Sequence, residues 1–210
     1  MLPNMLEARK VTCVKGQRLL FDQIDLSVRP GEIWQIAGSN GAGKTSLLRI
    51  LCGLSRPEEG EIFWDGAPVA STLTTFRASL AFLGHAPGVK LDLSARENLE
   101  FSNALGMNAP PCSIDEALNE VGLVKSADLL CRYLSEGQRR RVAIARLYLS
   151  AARLWILDEP LAAIDHSGIE RFSDRLEIHL SEGGLVVLTS HQPLALRHHT
   201  AKTLALGQAR

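Results

Sequence analysis

The eight residues GSNGAGKT, numbered 38–45, decide the fold expected of this chain. They match the pattern G-x-x-x-x-G-K-[ST], whose backbone amides can cradle phosphate oxygens. A buried-strand pattern, EIWQIA at residues 32–37, precedes them, and a helical pattern, SLLRIL at residues 46–51, follows. The N-terminus of that helix would place about half a positive charge beneath a phosphate. A glycine-rich turn without a ligand is the alternative, but the flanking strand and helix favour nucleotide binding.

Individual residues of this phosphate loop have separate expected roles. Gly41 and Gly43 lack a Cβ atom, so the backbone there can adopt a positive φ and approach a ligand closely. Lys44 can reach the β- and γ-phosphates, and the Thr45 hydroxyl can ligate Mg²⁺. The predicted nucleotide-binding residues are Gly38, Ser39, Asn40, Gly41, Ala42, Gly43, Lys44, Thr45 and Ser46.

The bulk composition excludes several classes of protein. The 210 residues are enough for one domain with a large core. Lys and Arg number 23, as do Asp and Glu, so the formal net charge is zero and no nucleic-acid partner is predicted. The cysteines are scattered and indicate free thiols in a reducing compartment. No apolar run reaches the length of a membrane span, about 18 residues, and the N-terminus does not read as a signal peptide.

The distribution of apolar runs predicts an α/β fold with a mostly parallel sheet. Residues 154–157 and 185–189 are typical of strands buried on both faces, and helical patterns at 139–150 and 164–180 precede them. Strands separated by helices imply crossover connections between parallel strands. Residues 6–28, in contrast, predict an N-terminal antiparallel hairpin.

A helical segment interrupts this alternation. Two capping boxes, in which a serine and a glutamate three residues later bond reciprocally, occur at residues 94–97 and 113–116. We expect a single domain, residues 1–210, with an α-helical subdomain at 86–131 inserted into a nucleotide-binding core formed by 1–85 and 132–210.

Two acidic residues follow the buried run 154–157. Ligands of parallel α/β sheets bind at the carboxyl ends of the strands, so Asp158 is expected to hold Mg²⁺ directly or through water. Glu159 points elsewhere and can polarise an attacking water. A surface turn is the alternative, and four buried residues before the pair argue against it.

A second helix start lies at residues 134–138, LSEGQ. Ser135 can cap the helix, Gly137 permits close approach, and the free amides form an anion site. Taken alone, this is a common helix start. The basic run RRR at 139–141 predicts a solvated helix face rather than a binding patch.

These motifs together closely resemble those of the ATP-binding subunits of ABC transporters. The phosphate loop, LSEGQ at 134–138, WILDEP at 155–160, Asp165 in LAAID and His191 in TSH stand in that family's order. The resemblance implies a P-loop NTPase fold with a RecA-like core that hydrolyses ATP with Mg²⁺. It also implies a head-to-tail homodimer, in which each ATP lies between the phosphate loop of one copy and LSEGQ of the other.

The resemblance also implies roles for particular residues. The catalytic residues would be Glu159 as general base, His191 as a γ-phosphate contact, and Lys44. The metal residues would be Thr45 and Asp158. Contacts to the ATP of the other subunit would come from Ser135, Gly137, Gln138 and Asp165.

The chain departs from the family pattern in two places. His85 stands where the family usually has a glutamine that senses Mg²⁺ and the lytic water, and an imidazole is sensitive to pH. The aromatic residue that normally stacks on adenine is missing, since Cys13, Val14 and Lys15 occupy that region. We therefore expect modest ATP affinity and weak base selectivity.

Within the family, the resemblance is closest to the ATPases of cytochrome c maturation, or haem exporter, systems. It rests on GHAPG at 84–88, GLSRP at 53–57 and LWILDEP at 154–160. It implies integral membrane permease subunits as partners and a peripheral location on the cytoplasmic face of the bacterial inner membrane. No Cys-x-x-Cys-His motif is present, so we expect no direct haem binding. The alternatives are an exporter subunit for another cargo, a soluble ATPase serving Fe–S assembly or translation, and a nucleotide switch that hardly hydrolyses.

Overall fold

A computed structural model describes residues 5–106 and 109–207. The predicted domain limits at residues 1 and 210, and most of the N-terminus examined for a signal peptide, lie outside the described residues. The strands are β1 Leu6–Lys15, β2 Arg18–Val28, β3 Ile33–Ala37, β4 Glu59–Trp64, β5 Ala67–Pro68, β6 Leu80–Leu83, β7 Leu154–Asp158, β8 Leu185–Thr189 and β9 Lys202–Ala205. The α-helices are α1 Lys44–Leu51, α2 Leu73–Ala78, α3 Ala95–Ala104, α4 Ile114–Glu120, α5 Glu136–Tyr148 and α6 His166–Ser181.

The described strands form two sheets, which confirms the predicted fold class. A five-stranded parallel sheet has the order β6-β7-β8-β3-β9, and a four-stranded antiparallel sheet has the order β2-β1-β4-β5. The β1–β2 hairpin matches the expected one. The nucleotide motifs follow β3 and β7, at the carboxyl edge of the parallel sheet, where such sheets bind ligands.

Burial on both faces explains why the first four residues of strand β7 are apolar. All five of its residues are buried. Leu154 and Ile156 pack into the core shared with α1 and the antiparallel sheet, whereas Trp155 and Leu157 pack into the core shared with α5 and α6. Because successive side chains point to opposite faces, a strand covered on both sides needs no polar position until it reaches the ligand edge.

The helical segment between β6 and α5 contains α3 and α4, each begun by its predicted capping box. Ser94 accepts from the Glu97 amide and Ser113 from the Glu116 amide, and each glutamate accepts from the serine amide in return. Buried residues of α3 and α4 share one core with α5. The division into a subdomain at 86–131 stays a prediction.

Helix boundaries differ from the predicted ones for capping reasons. Helix α5 starts at Glu136 rather than at residue 139, because Ser135 and Gln138 form a third capping box. Helix α6 starts at His166 rather than at residue 164, because Asp165 caps it by accepting from the Gly168 amide. Among the described residues, no helix has both the length and the apolar character of a membrane span.

Candidate nucleotide-binding site

The phosphate loop joins the end of β3 to the start of α1. Gly43 is the N-cap of α1 with φ 99°, and no side chain caps the helix amides. A Cβ atom at Gly43 would lie 3.0 Å from the Phe21 ring and would be strained at this φ, so glycine is required here. The uncapped amides and the helix dipole make this end of α1 suited to an anion.

Lys44 spans this loop from the first turn of α1. Its ammonium donates to the Gly38 carbonyl at 2.7 Å and approaches the Ser39 carbonyl at 3.4 Å. The arrangement holds a positive charge over the loop, where a lysine of this motif meets the β- and γ-phosphates.

Asp158 lies at the centre of a hydroxyl network that joins three elements. Its Oδ2 accepts from the Thr45 hydroxyl at 2.8 Å, and its Oδ1 accepts from the Thr189 hydroxyl at 2.8 Å. These two hydrogen bonds fix the orientation of both carboxylate oxygens. Asp158 is only 2% exposed. A hydroxyl and a carboxylate this close fit Mg²⁺, which takes few protein ligands and completes its shell with phosphates and water.

Glu159, the next residue, turns away from the Asp158 network. Its φ of 50° is uncommon for a residue with a side chain, and such backbone strain clusters at functional sites. Its amide donates to the Thr189 hydroxyl at 2.8 Å, and its Oε2 accepts from the His191 amide at 3.2 Å. The His191 ring nitrogen Nε2 lies 3.5 Å from Glu159 Oε1. The structure thus brings two of the three predicted catalytic side chains, those of Glu159 and His191, together.

One pocket of about 750 Å³ gathers most of the predicted nucleotide site. Of the predicted residues, those lining it are Asn40, Gly41, Gly43, Lys44, Thr45, Ser46, His85, Asp158, Glu159 and His191. Gly38, Ser39 and Ala42 shape the loop from outside that lining. No Phe, Tyr or Trp lines the pocket within the described residues, and Lys15, Arg18 and Leu20 form the end nearest the antiparallel sheet.

The LSEGQ residues lie outside this pocket. Its lining, among described residues, includes none of Ser135, Gly137, Gln138 and Asp165. Gly137 allows α5 to pack closely against the chain at Ala163, because a Cβ atom at Gly137 would lie 2.3 Å from the Ala163 carbonyl oxygen. Asp165 accepts from the Gly168 amide at 3.3 Å and pairs with Arg141.

The prediction of a solvated basic face is wrong for Arg140. Its side chain is buried, and the guanidinium donates to main-chain carbonyls of residues 84, 85 and 158–160. Burial lowers the pKa of Arg140, although the charges of Asp158 and Glu159 act in the opposite direction. The run of three arginines does not by itself distinguish the inward one, but helical spacing does, because Arg140 shares a face with the buried Ile144 and Leu147.

Thr189 was also not predicted as a site residue. It ends the buried run of β8, and the register pairs it with Asp158 at the end of β7. Had β7 and β8 been predicted as neighbouring strands, Thr189 would have been placed beside Asp158 and recognised as a site residue.

Comparison with known proteins agrees with this geometry. The family described as "ABC transporter" matches residues 21–162. The chain is 46% identical over 207 residues, 99% of each chain, to "Cytochrome c biogenesis ATP-binding export protein CcmA" of Escherichia coli (strain K12). A solved structure titled "Dimeric Structure of MJ0796, a Bacterial ABC Transporter Cassette" is similar at TM-score 0.82 and 25% identity, covering 95% of this chain and 94% of that one.

A second structure of that cassette is described as a dimeric post-hydrolysis state bound to ADP and Pi. It matches at TM-score 0.78 and 25% identity, covering 89% of this chain and 88% of that one. The family match spans the phosphate loop, LSEGQ and the acidic strand end. The chain therefore belongs to the ABC transporter family, in which it is an ATP-binding and ATP-hydrolysing subunit.

Proposed function

We propose that this chain is the ATPase of a membrane complex that energises haem export or delivery for c-type cytochrome biogenesis. The observation that carries the proposal is the 46% identity, over 99% of both chains, to the export protein of Escherichia coli. Identity of this extent over the full length includes the segment between β6 and α5, not only the nucleotide motifs.

Two copies of the chain would form two composite pockets in this proposal. Each ATP would contact the phosphate loop of one copy and Ser135, Gly137 and Gln138 of the other, with Asp165 near the interface. The exposed start of α5 supports this arrangement, since its capped amides lie outside the pocket of their own copy. The dimeric cassette among the structural relatives is a second support.

Each side chain of the pocket would have its own chemical role. Lys44 would bind the β- and γ-phosphates, and His191 would donate to the γ-phosphate. Thr45 and Asp158 would hold Mg²⁺, which neutralises charge on the phosphate oxygens when bound. Glu159 Oε1 accepts no hydrogen bond within the described part of the chain, and His191 Nε2 lies 3.5 Å from it, so this oxygen would be the one to accept a water proton. A general base placed in this way contributes roughly 10²–10⁴-fold to the rate.

A second groove would receive a membrane subunit. It has a volume of about 610 Å³ and lies between β6, the 84–88 loop, α3 and α5. Phe82, Pro87 and Leu105 give it an apolar lining, and Phe82 is 37% exposed on the edge strand. His85 lies between the two cavities, in a loop that borders both. Movement of a partner in the groove would therefore reach the nucleotide through the His85 loop.

The test is membrane fractionation of cells with and without the permease genes, followed by co-purification of the full-length chain. We expect membrane association only when the permease is present, and a peripheral location on the cytoplasmic face. Phe82→Glu should abolish it, whereas Val124→Glu, at an exposed apolar residue outside the groove, should not. A chain that stays in the soluble fraction with all partners present would instead favour a soluble ATPase.

A further inference from the structure

The guanidinium of Arg140 lies beneath the floor of the nucleotide pocket. Arg140 belongs to the second turn of α5 and is 2% exposed. Its Nη1 donates to the Gly84 carbonyl at 2.9 Å and to the His85 carbonyl at 3.0 Å. Its Nη2 and Nε donate to three successive carbonyls, with Asp158 at 2.6 Å, Glu159, and Pro160 at 3.2 Å.

All five acceptors are main-chain carbonyls, and the ion pairs among described residues do not include Arg140. A buried cation without an ion pair is expensive, so its donors must be well used. Arginine offers five donors in a rigid plane, which is the number of bonds formed here. One planar group therefore fixes the distance between the His85 loop and the turn that follows β7.

The backbone of Glu159 explains why this fixation matters. Its φ of 50° persists only if the surroundings hold it. The amide of Glu159 donates to the Thr189 hydroxyl, and its carbonyl accepts from Arg140. With both peptide groups held, the direction of the Glu159 side chain is determined by the backbone. Arg140 itself does not line the pocket, and it holds the lining residues His85, Asp158 and Glu159 only by their main-chain carbonyls.

We propose that Arg140 is a positioning residue for hydrolysis, whose guanidinium ties the Glu159 turn and the His85 loop to helix α5 so that both side chains face the nucleotide together. The inference rests on the proposed role of Glu159 as the general base. Lysine cannot replace Arg140, because its ammonium is a point charge with three donors and cannot span two loops.

The experiment compares Arg140→Lys and Arg140→Met with wild type, using full-length protein at concentrations that saturate dimer formation. We expect Arg140→Lys to fold and to bind ATP with little change in KM, while kcat falls roughly 10- to 100-fold, the loss typical of a catalytic group displaced by about 1 Å. In a Glu159→Gln background, Arg140→Lys should still form the ATP-bound dimer and should reduce the residual turnover no further, since the group it positions is already gone.

Arg175→Met is the matched control. Arg175 is a partly buried arginine whose guanidinium lies over the rings of Tyr148 and Trp155, away from the pocket. We expect this control to lower Tm without changing kcat. If Arg140→Met does not fold, the kcat and KM of Arg140→Lys decide the question.

Three results would overturn the inference. They are a wild-type kcat in Arg140→Lys, a kcat loss matched by an equal loss of ATP binding, and a further full-sized loss in the Glu159→Gln background. Each of these results leaves the proposed function standing, because the wild-type protein still hydrolyses ATP. The proposed function fails only if the wild-type protein itself has no ATPase activity, so the two failures are distinguishable.

Discussion

The hydroxyl of Thr189 bridges the two acidic residues of the candidate site. It donates to Asp158 Oδ1 at 2.8 Å and accepts from the Glu159 amide at 2.8 Å. Because β7 and β8 are parallel neighbours in register, the last residue of β8 lies beside the last residue of β7. One side chain therefore orients the proposed metal ligand and fixes the backbone of the proposed base.

Thr189→Val should lower kcat by roughly 10- to 100-fold, as is usual when the partner of a metal-binding group is removed. The buried carboxylate and amide lose a partner, so the free energy of unfolding should also fall by about 1–3 kcal/mol. Thr189→Ser keeps the hydroxyl and serves as the control in the same steady-state ATPase and denaturant experiments. Equal kcat values for the Val and Ser variants would contradict the bridging role.

The parallel sheet could be predicted from the sequence because its central strands are apolar on both faces. The edge strand β9 was not predicted, since it is short, its sequence KTLA does not alternate polar and apolar residues, and its place beside β3 depends on a distant pairing. Helix α2 and strand β5 are too short to give a periodic signal.

Residues of the site that belong to motifs were predictable, whereas residues that act through the backbone were not. Lys44 and Thr45 were predicted from the phosphate-loop pattern, and Asp158 and Glu159 from their position directly after a buried strand. Arg140 acts on carbonyls, which no side-chain pattern encodes. The trans contacts of Ser135 and Gly137 stay predictions.

Glu159→Gln should bind ATP and yet turn over roughly 10²–10⁴-fold more slowly, because an amide cannot accept the water proton. The variant preserves shape and can still accept from the His191 amide, so the ATP-bound dimer should accumulate. Size-exclusion chromatography with ATP and steady-state ATPase measurements check both effects. Glu182→Gln, at the far end of α6, is the control, and unchanged turnover in Glu159→Gln would refute the assignment.

ATP and GTP should bind with comparable Kd values. The end of the pocket formed by Lys15, Arg18 and Leu20 offers no aromatic ring, and a missing base stack costs about 1–3 kcal/mol. Titration with both nucleotides tests this, and Lys44→Ala should lose both because a charge-assisted phosphate contact disappears. A strong preference for ATP would show that another group reads the base.

Stability should fall as the pH drops from about 6.5 towards 4, owing to His179. Burial, with help from the Arg175 charge, lowers the pKa of His179 to about 4, and its ring stacks on Trp155 at 3.9 Å. The unfolded chain binds the proton first, so this one group contributes a slope of up to about 1.4 kcal/mol per pH unit in that window.

His179→Phe keeps an aromatic ring that cannot be protonated, so it should flatten this slope in urea unfolding at a series of pH values. The pKa of Glu177 offers a separate, lower window. Burial would raise that pKa, but hydrogen bonds from the amides of residues 197–199 and from His199 lower it to about 2. The stability from Glu177 is therefore lost as the pH falls from about 4.5 towards 2. If the stability of His179→Phe still falls with the wild-type slope between pH 6.5 and 4, His179 is not the source of that slope.

If each ATP lies in a pocket shared by two copies, specific ATPase activity must depend on protein concentration. Activity per chain should fall towards zero on dilution and follow the dimer fraction measured by analytical ultracentrifugation. Constant activity per chain in a preparation shown to be monomeric would contradict it.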